Sequence, residues 1–272
     1  MNNPTGLYVI EVVQMKSFPC YLLMIACFFL LAACGREGGS DSAKDLSTNI
    51  RIVNGTVIPD EVLPFTVRVL GFTQEGTTSL CTGSFLTPTQ VLTAAHCLSP
   101  ENEYAVLHSG ILSAVTSVSV YPNYSPDQLT GDLAIITVQE PYTGPLAILG
   151  SLLPFSGQEL MVAGFGTTGT NESTDLSLRN GFTTIDTIAL ESGFLLWAFD
   201  TLNESNTCFG DSGGPGFVRF LPEDPWVLVS ITTGGIPNCD LGSVSFNTIL
   251  QKQEHFTWIL EQTDGTALVL YY

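Results

Sequence analysis

From residue 52 onwards, short apolar runs alternate with groups of glycine, proline, asparagine and serine. β-Branched residues are frequent in the runs, and several runs alternate apolar with polar positions. Examples are FTVRVLGF (65–72), VTSVSVY (115–121), LAIITV (133–138), ELMVAGF (159–165) and WVLVSI (226–231). Short strands separated by turn signals are typical of an all-β sandwich or a pair of barrels.

Only the tail of the chain has a helical period. In ILQKQEHFTWILEQ (249–262) the residues Leu250, Phe256, Ile259 and Leu260 recur on one side. We therefore expect one amphipathic helix after a body built of strands.

The N-terminal region has the layout of a secretory signal peptide. Lys16 precedes an apolar stretch over residues 18–33, which ends in small residues. This stretch is shorter than the roughly 20 apolar residues that a membrane-spanning helix needs. Residues 1–14 make a poor positively charged start, so we expect translation to start at Met15.

The sequence Leu31-Ala32-Ala33-Cys34 resembles the lipobox of bacterial lipoproteins. The resemblance implies that residues 1–33 are removed as a signal peptide and that Cys34 is lipidated, and several acyl chains anchor a protein stably. Gly35 after the cysteine points weakly to the outer membrane. The alternative is an ordinary signal peptide with incidental cysteines, since Cys20 and Cys27 lie in the same region.

The following segment, GREGGSDSAKDLSTNIR (35–51), contains almost nothing to bury. Such a composition is typical of a flexible tether. The chain therefore divides into a signal peptide (1–33), a lipidated cysteine with a tether or propeptide (34–51), and one domain (52–272).

The whole net charge of the chain lies in that domain. The whole sequence has 8 Lys and Arg against 26 Asp and Glu, a net charge of −18. Four basic and four acidic residues precede residue 52, so the domain keeps four basic and 22 acidic residues. Such a surface repels nucleic acid and anionic headgroups and attracts cationic partners, although it also serves solubility alone.

Cysteine usage supports this division. Three of the seven cysteines (20, 27 and 34) belong to the leader, and the four at 81, 97, 208 and 239 form an even set. In an exported protein such a set predicts two disulfides.

Three motifs carry candidate catalytic residues. They are LTAAHC (92–97) with His96, YPNYSPDQLTGDLAIITV (121–138) with Asp132, and TCFGDSGGPGF (207–217) with Ser212. The last motif also fits G-x-S-x-G, the nucleophile turn of α/β-hydrolases.

An α/β-hydrolase would need helices between its strands and the chain order Ser, Asp, His. Its triad would be Ser212, Asp224 or Asp240, and His255, but His255 lies in the tail helix pattern and is most simply a solvent-facing residue. The order His96, Asp132, Ser212 is instead the chymotrypsin order.

Residues 52–262 resemble the trypsin-like serine proteases. Besides the three motifs, the resemblance includes RIVNG (51–55), VAGFGTTG (162–169) and VLVSITTGG (227–235). It implies a monomeric all-β protein of two six-stranded antiparallel β-barrels with a C-terminal helix, and an active site between the barrels. It implies no cofactor and no metal, and Glu101 and Glu103 are better explained as solvated turn carboxylates than as a calcium loop.

The resemblance also assigns roles to residues. Ser212 would be the nucleophile, His96 the general base and Asp132 its orienting partner, with the N–H groups of Gly210 and Ser212 as the oxyanion hole. The implied disulfides are Cys81–Cys97 and Cys208–Cys239.

The resemblance further implies activation by cleavage after Arg51. The new α-amino group of Ile52 would then pair with Asp211 and order the catalytic loop. Because residues 35–51 contain no cysteine, cleavage would also separate the domain from a lipid anchor on Cys34. The expected partners are an activating protease, protein or peptide substrates, and the membrane before activation.

The substrate pocket is expected to be uncharged. Asn206 takes the position of the pocket floor, where trypsin itself has an aspartate for Lys or Arg. Thr232, Thr233 and Gly234 would pair with the substrate backbone, and the far wall would be Gly242 or Ser243. We therefore expect an uncharged, medium-to-large residue on the acyl side of the cut.

A non-catalytic binding lipoprotein with the same fold is the alternative function.

Overall fold

The alternating apolar runs form strands, as their pattern predicts. The computed structural model describes residues 52–73, 78–100 and 102–272, with Thr78 described by its backbone alone. The predicted signal peptide, the lipidation at Cys34, the tether and the cleavage residue Arg51 lie outside the described residues. No helix in the described ranges is long and apolar enough to cross a membrane.

The strands and helices of the described chain have the following bounds: β1 Thr56–Val57, β2 Thr66–Phe72, β3 Thr78–Phe85, β4 Gln90–Thr93, β5 Glu103–His108, β6 Ile111–Val120, β7 Ala134–Val138, β8 Ile148–Gly150, β9 Glu159–Gly164, β10 Arg179–Thr184, β11 Thr187–Ala189, β12 Phe194–Phe199, β13 Pro215–Val218, β14 Val227–Ile236, β15 Ser243–Ile249, α1 Gln253–Gln262 and β16 Leu268–Leu270. Short 3-10 helices span Asp60–Val62 and Ala95–Cys97.

The first half is a closed six-stranded barrel in the order β2-β3-β4-β7-β6-β5. Its interior is filled by Val67, Phe85, Val106 and Ile136, all completely buried. Phe85 stacks on Tyr142 with ring centroids 4.5 Å apart. The alternation of apolar and polar residues closes this barrel because each strand turns its apolar residues inward.

The second half is a ten-stranded sheet whose main path runs β1-β10-β9-β13-β14-β15-β12-β11. Strand β8 pairs in parallel with both β14 and β16. The all-β class, the first six-stranded barrel and the C-terminal helix are therefore confirmed. In place of the expected second six-stranded barrel, the second half forms this ten-stranded sheet, which is consistent with the chymotrypsin-like fold. Residues 148–150 and 268–270 therefore add two short parallel strands to a sheet that is otherwise antiparallel.

The tail helix packs the face that its period predicts against the core, although Phe256 and Leu260 are only partly buried. Ile259 is completely buried and Trp258 almost so, and Leu250 just before the helix is also buried. His255, expected to face solvent, is instead buried: its Nδ1 lies 2.7 Å from the carbonyl oxygen of Ile249, which can only accept a hydrogen bond. Its ring packs edge-on against Tyr121 at 5.0 Å.

One apolar cluster joins the two halves and fixes the loops between them. It includes Leu92 and Leu133 from the first barrel, Phe217 and Ile231 from the second sheet, and Trp258 from α1. The guanidinium of Arg68 adds a polar link across this boundary, since its Nε donates to the carbonyl oxygen of Leu176 at 3.0 Å. The catalytic candidates come from loops that begin or end at these packed strands.

Candidate active site

The first pair of candidate residues is His96 and Asp132, held by two strands that pair in the barrel. His96 lies in the 3-10 turn after β4, and Asp132 lies just before β7, which pairs with β4. Asp132 is completely buried, whereas 26% of the His96 side chain is exposed. A buried carboxylate beside a partly exposed imidazole is well placed to orient it.

Asp132 holds His96 at two points. Its Oδ1 accepts the backbone N–H of His96 at 2.8 Å, and its Oδ2 lies 2.7 Å from Nδ1 of the ring. Because a carboxylate accepts hydrogen bonds, Nδ1 carries the proton and Nε2 keeps its lone pair. Nε2 can therefore take a proton from a nucleophile.

A disulfide fixes the turn that carries His96. Cys97 is bonded to Cys81 on β3, with their Cα atoms 6.3 Å apart. Sγ of Cys97 lies 4.0 Å from Nε2 of His96, and His96 therefore clusters with both cysteines. Their sulfurs are joined to each other, so this group is explained by the disulfide and not by a metal.

Ser212 faces His96 from the second half. Both residues line one cleft of about 290 Å³. The carbonyl oxygen of Ser212 accepts the N–H of Thr82 at 2.8 Å, which ties the serine loop to the first barrel. Ser212 Oγ and His96 form no hydrogen bond within the described chain; in serine hydrolases such a bond tightens when substrate binds.

The N–H groups that flank Asp211 in the loop around Ser212 have no acceptor among the described residues. The N–H of Asp211 donates to the carbonyl oxygen of Cys208 at 3.0 Å, and that of Gly213 donates to Thr232 at 2.7 Å. The N–H groups of Gly210 and Ser212 donate to no other group in the described residues. Gly210 has a φ of 97°, a conformation that favours glycine. Two unpaired donors beside a nucleophile are what an oxyanion hole requires.

Asp211 supports this loop from inside the protein. It is completely buried, and its carboxylate accepts the N–H of Gly166 at 2.8 Å and that of Cys208 at 2.9 Å. Burial raises the pKa of Asp211 to about 7, although these two donors and the charge of Arg179 act in the opposite direction. The carboxylate therefore lacks a close cationic partner among the described residues.

The predicted activation residue Ile52 is buried in the same half of the molecule. Its side chain packs with Leu160, Val162 and Trp197 in the core of the second sheet. The next residue, Val53, accepts the N–H of Asn206 at 2.9 Å. The segment that follows the predicted cut is thus attached to the floor of the predicted pocket.

Among the described residues, no Asp, Glu, Lys or Arg side chain lines the cleft. Its lining residues are His96, Thr207, Cys208, Phe209, Ser212, Thr232, Thr233, Gly234, Gly235, Pro237, Asn238 and Cys239. The predicted substrate residues Thr232, Thr233 and Gly234 are among them. Thr207, Phe209, Gly235, Pro237 and Asn238 were missed, although most of them are sequence neighbours of motif residues.

Asn206 and Ser243 lie behind the cleft and do not line it. Asn206 is completely buried; its Nδ2 donates to the carbonyl oxygen of Cys239 at 3.1 Å and to Ser243 Oγ at 3.0 Å. Its Oδ1 accepts a hydrogen bond from Ser245. Both N–H donors of the Asn206 amide and one acceptor site on its oxygen are thus bonded within the protein. The Cys208–Cys239 disulfide, with Cα atoms 5.2 Å apart, closes this region.

Together these features form an arrangement typical of the chymotrypsin-type serine hydrolases: an oriented histidine, a serine across the cleft, and the N–H groups of Gly210 and Ser212 beside it. Residues 52–259 match the family described as Trypsin. The chain belongs to this family of serine proteases. Its two disulfides are typical of family members that fold in oxidising, extracellular compartments.

Individual relatives are identical to this chain at about a quarter of the aligned positions. It is 26% identical to Serine protease SP24D of Anopheles gambiae, over 82% of this chain and 84% of that protein. It is 26% identical to Trypsin 5G1 of Aedes aegypti, over 71% of this chain and 82% of that protein. It is 23% identical to Ovochymase of Halocynthia roretzi, over 78% of this chain, but it spans only 15% of that longer protein.

The environment of Asp211 predicts the effect of a small substitution. A Cβ atom at Gly164 would overlap the Asp211 carboxylate, and its next contacts would include the Asp211 backbone. We expect Gly164→Ala to displace the serine loop and to lower labelling of Ser212 by a fluorophosphonate on the order of 100-fold, the scale of a lost oxyanion donor.

Gly169→Ala is the matched control. The nearest atom to a Cβ at Gly169 lies 3.8 Å away, an ordinary contact, so this variant should label like the parent. Equal labelling of the parent and Gly164→Ala would show that Asp211 does not hold the loop.

Proposed function

We propose that the protein is an exported serine endopeptidase that hydrolyses peptide bonds through an acyl-enzyme. The observation that carries the proposal is the Asp132–His96 pair facing Ser212 beside the N–H groups of Gly210 and Ser212. Ser212 Oγ attacks the scissile carbonyl carbon, and Nε2 of His96 takes the hydroxyl proton. His96 then gives this proton to the leaving amine, and water releases the acyl group by the same route.

The electrostatics of the pair support this assignment. Asp132 is buried, and its oxygens bind the backbone N–H and the ring of one residue, His96. The carboxylate therefore fixes the tautomer and stabilises the imidazolium that forms during the reaction. Gly210 and Ser212 would bind the negative oxygen of the tetrahedral intermediate.

The protein would be made as a zymogen that is cut after Arg51. Ile52 is β-branched yet has a φ of 39°, a conformation that costs about 1–3 kcal/mol for such residues. Cleavage before Ile52 removes the peptide bond that defines this angle, so the buried position suits a new terminus better than a continuous chain. The α-ammonium group would also provide the positive charge that Asp211 lacks nearby.

The pocket would take an uncharged, medium-to-large side chain on the acyl side of the cut. The described residues that line it include no carboxylate, and the Asn206 amide is already bonded to Cys239, Ser243 and Ser245. A Lys or Arg side chain would find no opposite charge there and would lose its hydration. Arg51 would then be cut by a different protease.

Before activation the protein would be held on a membrane by lipid on Cys34. No cysteine lies between residues 35 and 51, and both disulfides of the domain are internal to it. Cleavage after Arg51 would therefore release the enzyme.

Fractionation of producing cells tests the anchor. We expect the uncut chain in the membrane fraction and the Ile52-started form in the soluble fraction, with Cys34→Ser moving the uncut chain out of the membrane fraction. Active, Ile52-started enzyme that stays with the membrane would contradict release by cleavage.

Two histidine variants test the catalytic proposal. His96→Gln removes the base and should lower kcat/KM on the order of 10⁴-fold, the scale of a disabled triad. His255→Gln is the matched control, because His255 is buried and bonds to the Ile249 carbonyl; it should keep most of the activity.

The substrates are two peptide amides that differ only in Phe or Arg on the acyl side, and the Phe peptide should be cut faster.

The outcomes separate the alternatives. Loss of activity with His255→Gln in folded protein, but not with His96→Gln, would contradict the proposed triad and indicate His255 as the base. Absence of any hydrolysis by the folded Ile52-started form would favour the non-catalytic binding lipoprotein. Faster cleavage of the Arg peptide would contradict the proposed pocket.

A further inference from the structure

Arg179 is a buried arginine at the start of β10. Only 1% of the residue is exposed, and it is one of four basic residues in the domain. Its Nη1 donates to the carbonyl oxygen of Ser177 at 2.7 Å, and its Nη2 donates to the Asp175 carboxylate at 2.9 Å. Its buried Nε has no hydrogen-bond partner within the described chain. Arginine is almost never fully buried unless another charge compensates it, so the position of this guanidinium needs a reason.

The side chain of Arg179 lies on the face of the sheet that is turned toward Asp211. Arg179 is paired directly opposite Gly164 on β9, and residues opposite each other share one face. A Cβ atom at Gly164 would overlap the Asp211 carboxylate. Gly181 follows two residues later on β10 and shares the face, and a Cβ atom there would lie 3.2 Å from Cγ2 of Ile52. The same face therefore carries Arg179 and contacts both members of the proposed activation pair.

The charge of Arg179 acts on Asp211 without a direct ion pair. Burial raises the pKa of Asp211 to about 7, and the charge of Arg179 acts in the opposite direction together with the N–H groups of Cys208 and Gly166. The Asp175 side chain, which pairs with the guanidinium, is 45% exposed, against 2% for that of Arg179. Solvent screens an exposed charge more than a buried one. Asp211 therefore experiences a net positive field from this pair.

The other groups in contact with the Asp211 carboxylate bring no charge of their own. Gly164 packs against it, and Gly166 and Cys208 donate backbone N–H groups to it. Cys208 is bound in a disulfide and does not titrate. His96 lines the cleft with Ser212 and can titrate, so any comparison of variants has to leave His96 unchanged.

The ionisation of Asp211 matters for the shape of the nucleophile loop. An ionised carboxylate accepts hydrogen bonds more strongly than a neutral acid does. Protonation of Asp211 would therefore weaken its bonds to Gly166 and Cys208, which fix the loop from inside the protein. The neighbouring N–H groups of Gly210 and Ser212 would then lose part of their fixed orientation. A positive charge close to Asp211 favours the ionised form.

We propose that Arg179 is a positioning residue for the nucleophile loop: its buried charge keeps Asp211 ionised in the uncut chain, and Asp175 limits this effect by neutralising part of that charge. The Ile52 ammonium group would add to the same field after cleavage. This inference deepens the proposed activation and rests on the proposed endopeptidase for its meaning, but the coupling of the two charges can be measured without catalysis.

The first test follows the rate of fluorophosphonate labelling of Ser212 against pH in the full chain with Arg51→Gln. The rate of each variant is divided by that of the parent, which cancels the titration of His96. Without the charge of Arg179 more of Asp211 is protonated near its pKa, whereas well above that pKa Asp211 is ionised in both proteins. Arg179→Gln should therefore label roughly fivefold more slowly near pH 7 and about as fast as the parent near pH 9.5.

Three further variants separate charge from packing. Arg179→Lys keeps the charge and should retain most of the parent rate. Asp175→Asn removes the neutralising partner and should label at least as fast as the parent near neutral pH. Arg219→Gln is the matched control for net charge, since the Arg219 guanidinium packs over the Trp226 ring at 4.4 Å; its rate should equal that of the parent at every pH.

The second test uses urea unfolding and needs no activity. The folded-state pKa of Asp211, about 7, lies above its ordinary value of 3.8, so the ionisation of Asp211 lowers stability as the pH rises through this range. Burial raises the pKa of Asp175, but hydrogen bonds from Ser177 and Arg179 hold it well below its usual range. The loss of the Asp175 pair is therefore constant from about pH 5.5 to about pH 8.5. The urea midpoint of Arg179→Gln should fall further below that of the parent at the higher pH.

The outcomes distinguish this inference from the proposed function. A rate ratio for Arg179→Gln that is the same at every pH, or slower labelling of Asp175→Asn near neutral pH, would show that Arg179 only packs the loop. The Asp175→Asn result decides the question if Arg179→Gln does not fold. If no form labels at Ser212, the endopeptidase is removed; a urea midpoint difference that grows with pH would then still uphold the coupling of Arg179 to Asp211, and a constant difference would overturn it.

Discussion

The geometry of the site depends on one buried carboxylate, that of Asp211. It binds the N–H groups of Gly166 and Cys208, and the residue on either side of it carries one of the two N–H groups of the proposed oxyanion hole. A charge without contact with water must be compensated, or it is neutralised. Because Asp211 lies between Gly210 and Ser212 and its carboxylate also binds the N–H of Cys208, it connects these three residues to the interior of the protein.

A second buried carboxylate, that of Asp132, has a different role. Both of its oxygens bind His96, and the pairing of β4 with β7 places the two residues together. One half of the molecule thus orients the base, and the other half shapes the nucleophile loop. The apolar cluster between the halves fixes their relative position. Packing outside the cleft therefore supports the chemistry inside it.

Much of this was predictable from the sequence because trypsin-like sites are carried by short, contiguous motifs. The strand pattern, the tail helix and the two disulfide pairs agree with the structure. The burial of His255 was not predictable, since helical period alone does not show that Ile249 offers a carbonyl oxygen to its ring. Nor could the sequence show that the Asn206 amide is saturated, or that Arg179 is buried on the face of the sheet that is turned toward Asp211, because both depend on pairing between distant strands.

The most direct measurement compares fluorophosphonate labelling of Ser212 in two purified forms. One is the full chain with Arg51→Gln, which cannot be cut at that site, and the other begins at Ile52. If the Ile52 ammonium group completes the environment of Asp211, the Ile52-started form should label faster on the order of 100-fold, the scale of one oxyanion donor. Equal labelling rates would contradict the account, because the serine loop would then be formed without the new terminus.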